Sequence, residues 1–76
     1  MNSLAIQMIK KGNYKIDVYS PDRMSFIVVD SNEGYWTAFN SIGVSVLRAK
    51  TKSDIADTLR SASPNDLHLY NNQETI

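Results

Sequence analysis

The stretch YKIDVYSPDRMSFIVV, residues 14–29, decides the fold that the sequence predicts. Over residues 14–19 apolar and polar side chains alternate, which is the pattern of a strand with one buried face. Residues 20–23 follow as a type I turn, because Pro21 has the fixed backbone angle that the second position of such a turn needs. Residues 24–29 are apolar on both faces apart from one serine, which is typical of a central strand. The stretch therefore predicts an antiparallel β-hairpin.

Two further strands are expected downstream of this hairpin. A loop rich in turn-forming residues spans 30–34, and a third strand follows over 35–40. Residues 44–49 alternate again and carry β-branched side chains, which favours a fourth strand, with a helix beginning at Ile42 as the alternative. Alternation in the third strand separates two sets of side chains: Tyr35, Thr37 and Phe39 on one face, and Trp36, Ala38 and Asn40 on the other.

A helix is expected ahead of the hairpin, over residues 2–11. Its apolar residues have the i, i+1, i+4, i+5 spacing of one helix face: Leu4, Ala5, Met8 and Ile9. Asn2 or Ser3 supplies an N-cap, and Gly12 is a suitable residue to end the helix.

A second helix is expected after the last strand. Thr51, with an aspartate three residues later, resembles a capping box, and Ser53 is the alternative N-cap. The buried stripe of this helix consists of Ile55, Ala56, Leu59 and Ala62. Residues 63–65, Ser-Pro-Asn, are expected to end it, and Leu67 and Leu69 then predict a short strand or an extended clip.

Together these elements predict an α+β domain with the order α-β-β-β-β-α. The fold class is a two-layer sandwich, in which an antiparallel meander of three to four strands is flanked by an N-terminal and a C-terminal helix. The single domain spans residues 1–70, and residues 71–76 form a flexible C-terminal tail. Phe26 and Phe39 are expected in the core.

Composition excludes several classes of function. The 76 residues include eight basic and eight acidic side chains, one histidine and no cysteine, so disulfides and thiolate metal sites are excluded. Asp30 and Glu33 lie in a turn, where carboxylates usually bind backbone N–H groups, and His68 has no nucleophile motif beside it. We therefore expect a protein that is not an enzyme and has no catalytic, cofactor or metal site.

The absence of a long apolar run predicts a cytoplasmic protein that does not contact membranes.

A group of aromatic and basic residues around the turns suggests a binding surface. The candidate partner-binding residues are Lys15, Tyr19, Arg23, Tyr35 and Trp36. Trp, Tyr and Arg dominate the energetics of protein interfaces, so the leading hypothesis is a rigid sheet that sterically blocks a site on a host protein or complex. Packing between neighbouring strands is the structural explanation for the same residues.

Two other functions are compatible with these basic and aromatic residues. The first is a small nucleic-acid-binding regulator that uses Lys10, Lys11, Lys15, Arg48 and Lys50. A net charge of zero makes bulk attraction to phosphates weak, so nucleic acid is the less favoured partner. The second is a homodimer in which the aromatic face buries itself.

The opening of the chain resembles a small family of type II-A anti-CRISPR proteins. The shared features are Met1-Asn2, a short helix that ends at Ile9-Lys10, the strand residues 14–18 and an apolar strand before a turn glycine, here Gly34. The resemblance implies a helix, three antiparallel strands and further helices, and an inhibitor from a phage or mobile element that acts in the host cytoplasm. That family occupies a surface that its target nuclease needs for DNA. It is strongly acidic, whereas this chain is neutral, and no binding residue is carried over.

Overall fold

The computed structural model describes residues 1–74, which form a five-stranded antiparallel sheet followed by two helices. The strands are β1 (Ser3–Lys10), β2 (Asn13–Tyr19), β3 (Arg23–Asp30), β4 (Trp36–Phe39) and β5 (Ser45–Ala49), and the helices are α1 (Lys52–Ser61) and α2 (Pro64–Asn72). Each strand pairs with the next in sequence, so the sheet is a meander. The α+β class with an antiparallel sheet is confirmed. The predicted strand number and element order are wrong, because the sheet has five strands instead of three to four and all of them precede both helices.

The predicted N-terminal helix over residues 2–11 is strand β1. Leu4, Ile6 and Met8 alternate along it and point to the same side of the sheet, where Leu4 and Ile6 pair with the buried Val18 and Ile16 of β2. A two-residue turn joins the two strands, and Gly12 adopts a positive φ of 81° there. The turn places residues 3–10 directly beside β2, so sheet pairing outweighs the helical spacing of the apolar side chains.

The central hairpin forms as predicted. β2 and β3 pair from Asn13–Val29 to Tyr19–Arg23, and their inward side chains are completely buried at Ile16, Val18 and Phe26. Residues 45–49 form a strand with a register shift against β4, so the alternative of a helix beginning at Ile42 is wrong.

Helix α1 begins at the predicted capping residue. Thr51 has extended backbone angles, and its Oγ1 accepts a hydrogen bond from Asp54 N at 3.0 Å. Ile55 and Leu59 are at most 1% exposed and lie in the same core as the inward residues of β2 and β3. The apolar stripe is therefore confirmed for Ile55, Ala56 and Leu59, whereas Ala62 is the C-cap and lies beyond the last residue of the helix.

Residues 64–72 form helix α2, where the sequence predicts a short strand or an extended clip. Ser63 is the N-cap, since its Oγ accepts from Asp66 N at 3.1 Å, and Pro64 occupies the first turn, where its missing N–H has no cost. Leu67 enters the core, whereas Leu69 is 68% exposed. The helix includes two residues of the predicted tail, 71 and 72, while residues 75 and 76 lie outside the described residues.

Both helices pack on one side of the sheet, here called the helix face. The core residues of the helices and of the strands form a single apolar cluster on that side. The opposite side is called the open face, because no element of residues 1–74 packs on it. The thinnest dimension of the molecule, 19 Å, fits two layers.

Two asparagine side chains tie the C-terminal ends of the helices to the sheet. The side-chain amide of Asn2, just before β1, donates to Leu59 O at 2.9 Å and to Ala62 O at 2.8 Å at the end of α1. The amide of Asn40, just after β4, donates to Tyr70 O and Gln73 O, both at 2.9 Å, at the end of α2. Each side chain satisfies carbonyl groups that a helix end leaves without an intrahelical partner.

Candidate functional site

The open face is formed by every second side chain of the strands. Because the buried residues of each strand mark the helix face, their neighbours in sequence point to the open face. The strand pairing arranges these side chains in rows across the sheet. The open face carries Lys15, Asp17, Tyr19, Arg23, Ser25, Ile27, Val29, Thr37, Phe39 and Arg48.

Apolar side chains occupy the centre of this face. Ile27 pairs directly with Phe39, and Val29 pairs with Thr37, so the four side chains form a contiguous block on adjacent strands. Ile27, Val29 and Phe39 are half-buried although no helix covers them. A shallow groove crosses the block, here called the open-face groove, lined by Val29, Ser31, Tyr35, Thr37, Phe39, Ser45 and Arg48.

Arg48 and Tyr35 form one wall of the open-face groove. The guanidinium carbon of Arg48 lies 4.5 Å from the centre of the Tyr35 ring, which is a cation–π arrangement. The loop before β4 holds Tyr35 in place, because Ser31 donates to the Tyr35 carbonyl from its Oγ at 2.8 Å and from its N at 3.1 Å. The groove therefore has a fixed aromatic and cationic wall beside an apolar floor.

The open face is positively charged although the chain is neutral. Lys15, Arg23 and Arg48 oppose a single carboxylate, Asp17, which leaves a net charge of +2 on this face. Asp17 is largely engaged, because Ser25 Oγ donates to its Oδ1 at 2.6 Å and Lys15 Nζ lies 3.9 Å from the same atom. A cationic face with an apolar centre is complementary to an acidic surface with exposed apolar groups.

The structure brings four of the five candidate binding residues to the open side of the sheet. Tyr19 and Arg23 pair with each other beside the β2–β3 turn, and Lys15 lies nearer the centre. Tyr35 lines the open-face groove. The Tyr19–Arg23 pair lies six residues along β3 from Val29, which is roughly 20 Å at the usual rise of a strand. These residues mark two corners of one face rather than one compact site.

Trp36 lies on the helix face, away from the other four candidates. Its ring centre is 6.0 Å from that of Tyr14, and Lys52 Nζ lies 3.6 Å from the centre of the Tyr14 ring. Trp36 is half-buried and packs against the core cluster. The side chain that the sequence places first in the interface therefore has a packing role.

Sequence reasoning missed the apolar centre of the open face. Phe39 is expected in the core, yet it lies half-buried on the open side opposite Ile27. The alternation within residues 35–40 already places Phe39 with Tyr35, and the register confirms that separation of faces. The alternation therefore indicates the face of Phe39 correctly, whereas the general preference of phenylalanine for the core does not.

The cations of the nucleic-acid interpretation are not gathered in one cluster. Lys15 and Arg48 lie on the open face, whereas Lys10 and Lys11 lie at the β1–β2 turn and Lys50 follows β5. Two of these residues therefore belong to the surface that carries the open-face groove.

The carboxylate of Asp30 and the backbone of Glu33 take part in the hydrogen bonds of the loop before β4. Asp30 Oδ1 accepts from Asn32 N at 2.9 Å, and Glu33 N donates to Ser31 Oγ at 3.0 Å within the same loop. His68 is exposed on α2. Within residues 1–74 no group of three or more His, Asp or Glu side chains could hold a metal ion.

Neither helix of the described part of the chain is long and apolar enough to cross a membrane. No protein-family model, curated protein or solved structure matches this chain.

Proposed function

We propose that this chain is a non-enzymatic binding module that recognises an acidic protein surface through the open face of its sheet. The observation that carries the proposal is the uncovered apolar centre of that face, with a fixed Arg48–Tyr35 wall beside it. Interfaces combine an apolar core with Arg and Tyr anchors, and this face supplies both on a rigid sheet.

The charge distribution supports an acidic partner. The net charge of +2 on the open face attracts an acidic surface, while the half-buried Ile27 and Phe39 lose their remaining contact with water on binding. Steric inhibition of a host complex stays a prediction of the sequence. The helix shared with the anti-CRISPR resemblance is strand β1 here, so the proposal does not depend on that family.

Affinity capture from a cell lysate, with the wild type and two matched arginine variants as bait, tests the proposal. Arg48→Gln removes the cation above Tyr35, and Arg60→Gln makes the same chemical change on α1, where Arg60 binds Asp57 at 2.7 Å. We expect wild type and Arg60→Gln to retain one stoichiometric acidic protein, and Arg48→Gln to lose it. Equal capture by all three folded proteins, or no captured protein, would contradict the proposal.

A nucleic-acid partner is the second candidate, favoured by Lys15 and Arg48 on one face, with Arg48 over the Tyr35 ring. Salt separates the two functions. Binding that depends on phosphates falls steeply as salt rises, whereas an interface centred on Phe39 and Ile27 changes much less. Capture of nuclease-sensitive material that is lost between low and moderate salt would favour this second candidate.

A further inference from the structure

The two edges of the sheet differ in how they are protected against pairing with another chain. β5 has five residues, contains Arg48 and has a register shift against β4. These are the features by which proteins usually prevent edge-to-edge association. β1 has eight residues without proline, and from Ser3 to Ile9 it carries no charged side chain. β1 also has a register shift, between Met8 and Lys10, but from Ser3 to Met8 it is a regular and uncharged edge with few of these protections.

Apolar side chains remain exposed along β1. Leu4, Ile6 and Met8 point to the helix face, where Leu4 packs against the core cluster. Ile6 is 46% exposed and Met8 is 60% exposed, so the helices do not cover this part of the sheet. Both the outer backbone groups and the apolar side chains of β1 thus face solvent at the same edge.

We propose that β1 pairs antiparallel with β1 of a second copy, which joins the two sheets into one of ten strands. The two-fold axis passes beside Ile6, so that Ile6 faces Ile6 of the second copy and Leu4 faces Met8. Opposite residues of an antiparallel pair point to the same side, so all three side chains of both copies form one apolar stripe. The pairing also hydrogen-bonds backbone groups along the regular part of the edge, from Leu4 to Met8.

Charge and register favour a second copy in antiparallel orientation as the occupant of this edge. The cations of this edge, Lys10 and Lys11, lie at its C-terminal end. In a parallel pair, the two lysines of one copy would lie beside the same lysines of the other copy. In the antiparallel pair, the two Lys10 residues are separated by roughly 26 Å along the strand. The segment from Ser3 to Ile9 is uncharged, so it meets itself without repulsion, and each apolar residue of the helix face meets another apolar residue.

Molecular mass as a function of concentration tests this proposal. Sedimentation equilibrium of wild type should give a mass that rises from the 8.6 kDa monomer toward twice that value. Ile6→Lys places two lysines opposite each other at the axis and should raise the dissociation constant by about 100-fold or more. Ile42→Lys is the matched control, because Ile42 is 60% exposed in the β4–β5 turn, and it should dimerise like wild type.

Circular dichroism and thermal unfolding confirm that each variant is folded, and Met8→Lys replaces Ile6→Lys if the latter unfolds. A monomeric wild type at all concentrations would overturn the proposal and leave the edge to a strand of a different protein. Dimers that persist equally in the folded edge variant and in Ile42→Lys would also overturn it.

Introduced cysteines test the register, since the natural chain has none to interfere. Under mild oxidation Ile6→Cys should form a covalent dimer, because directly opposite residues lie within the Cα separation that a disulfide needs. Ala5→Cys alone should not, since its own copy is a diagonal neighbour at roughly 7–8 Å, but a mixture with Gln7→Cys should cross-link. Cross-linking of Ala5→Cys with itself and none for Ile6→Cys would overturn the register.

Discussion

Replacing Asn40 by aspartate is the sharpest test of how the helices are held on the sheet. Asn40 is 2% exposed and uses both ends of its amide. Its Oδ1 accepts from Ile42 N at 3.1 Å and Val44 N at 3.0 Å, while its Nδ2 donates to Tyr70 O and Gln73 O. Asn40→Asp keeps the shape and the acceptor, but a carboxylate oxygen then faces two carbonyl oxygens.

The expected loss of stability follows from these four bonds. Two N–H donors disappear, at about 1 kcal/mol each, and the carboxylate is buried against two acceptors, which raises the total to about 3–5 kcal/mol. A domain of this length has a free energy of unfolding of about 4–11 kcal/mol. The variant should therefore melt roughly 12–40 °C below wild type.

Thermal and urea unfolding at pH 7 give the comparison, with Asn65→Asp as the control because Asn65 is exposed in the first turn of α2. The control should stay within about 0.5 kcal/mol of wild type. Burial should raise the pKa of the introduced carboxyl in the folded state, so the deficit of Asn40→Asp is smallest below about pH 4, grows as pH rises toward the raised pKa and is constant above it. An Asn40→Asp protein as stable as Asn65→Asp would refute the reasoning.

Three further substitutions test other parts of the fold by urea unfolding. Asn2→Ala removes two hydrogen bonds to the end of α1 and should lower the free energy of unfolding by about 1–2 kcal/mol; no change would contradict the role given to this side chain. Trp36→Ala empties the space beside Tyr14 and should lower the free energy of unfolding by about 2–3 kcal/mol. The folded protein should still bind its partner. A variant that is as stable as wild type but does not bind would show that Trp36 belongs to the interface. Gly12→Ala should lower the free energy of unfolding by about 1 kcal/mol, because a φ of 81° is strained for alanine. The added Cβ would lie 3.6 Å from Asp30 Cβ, which is an ordinary contact, so no clash contributes. An unchanged stability would show that the turn changes its backbone angles to accept alanine.

The central hairpin could be predicted because each signal in residues 14–29 agrees with the others. Alternation, turn chemistry and a doubly apolar strand all indicate the same local pairing, and burial on the helix face enforces it. Edge strand β1 lacks that agreement. Its apolar residues fit both a helix and a strand, and since most of β1 stays exposed, burial does not impose a clear period of two. Only the pairing with β2 decides between them.

Helix α2 does not follow from the sequence pattern, because Ser63-Pro64 is compatible with two structures. A proline disfavours helix in the residue before it, so it ends α1, but it also suits the first turn of a new helix behind a serine cap. Leu67 and Leu69 alternate, yet Leu67 alone is buried, so the period of two was accidental. The long-range bonds of Asn2 and Asn40 join residues 30 to 60 positions apart, and no local pattern indicates them.

The two proposed surfaces are geometrically linked but separable. Antiparallel pairing through β1 keeps both open faces on the same side of the joined sheet, because opposite residues of the pair point the same way. A dimer thus presents two open-face grooves on the same side of the sheet, separated by β1 and β2 of both copies, and a partner with repeated acidic sites gains if it spans both grooves at once. Ile6 contributes to the helix face and Arg48 to the open face, so Ile6→Lys should abolish the gain while leaving the affinity of a single groove intact. Arg48→Gln should do the reverse, weakening each groove without changing the mass of the protein. The proposal of binding through the open face and the proposal of dimerisation through β1 can therefore each be refuted without refuting the other.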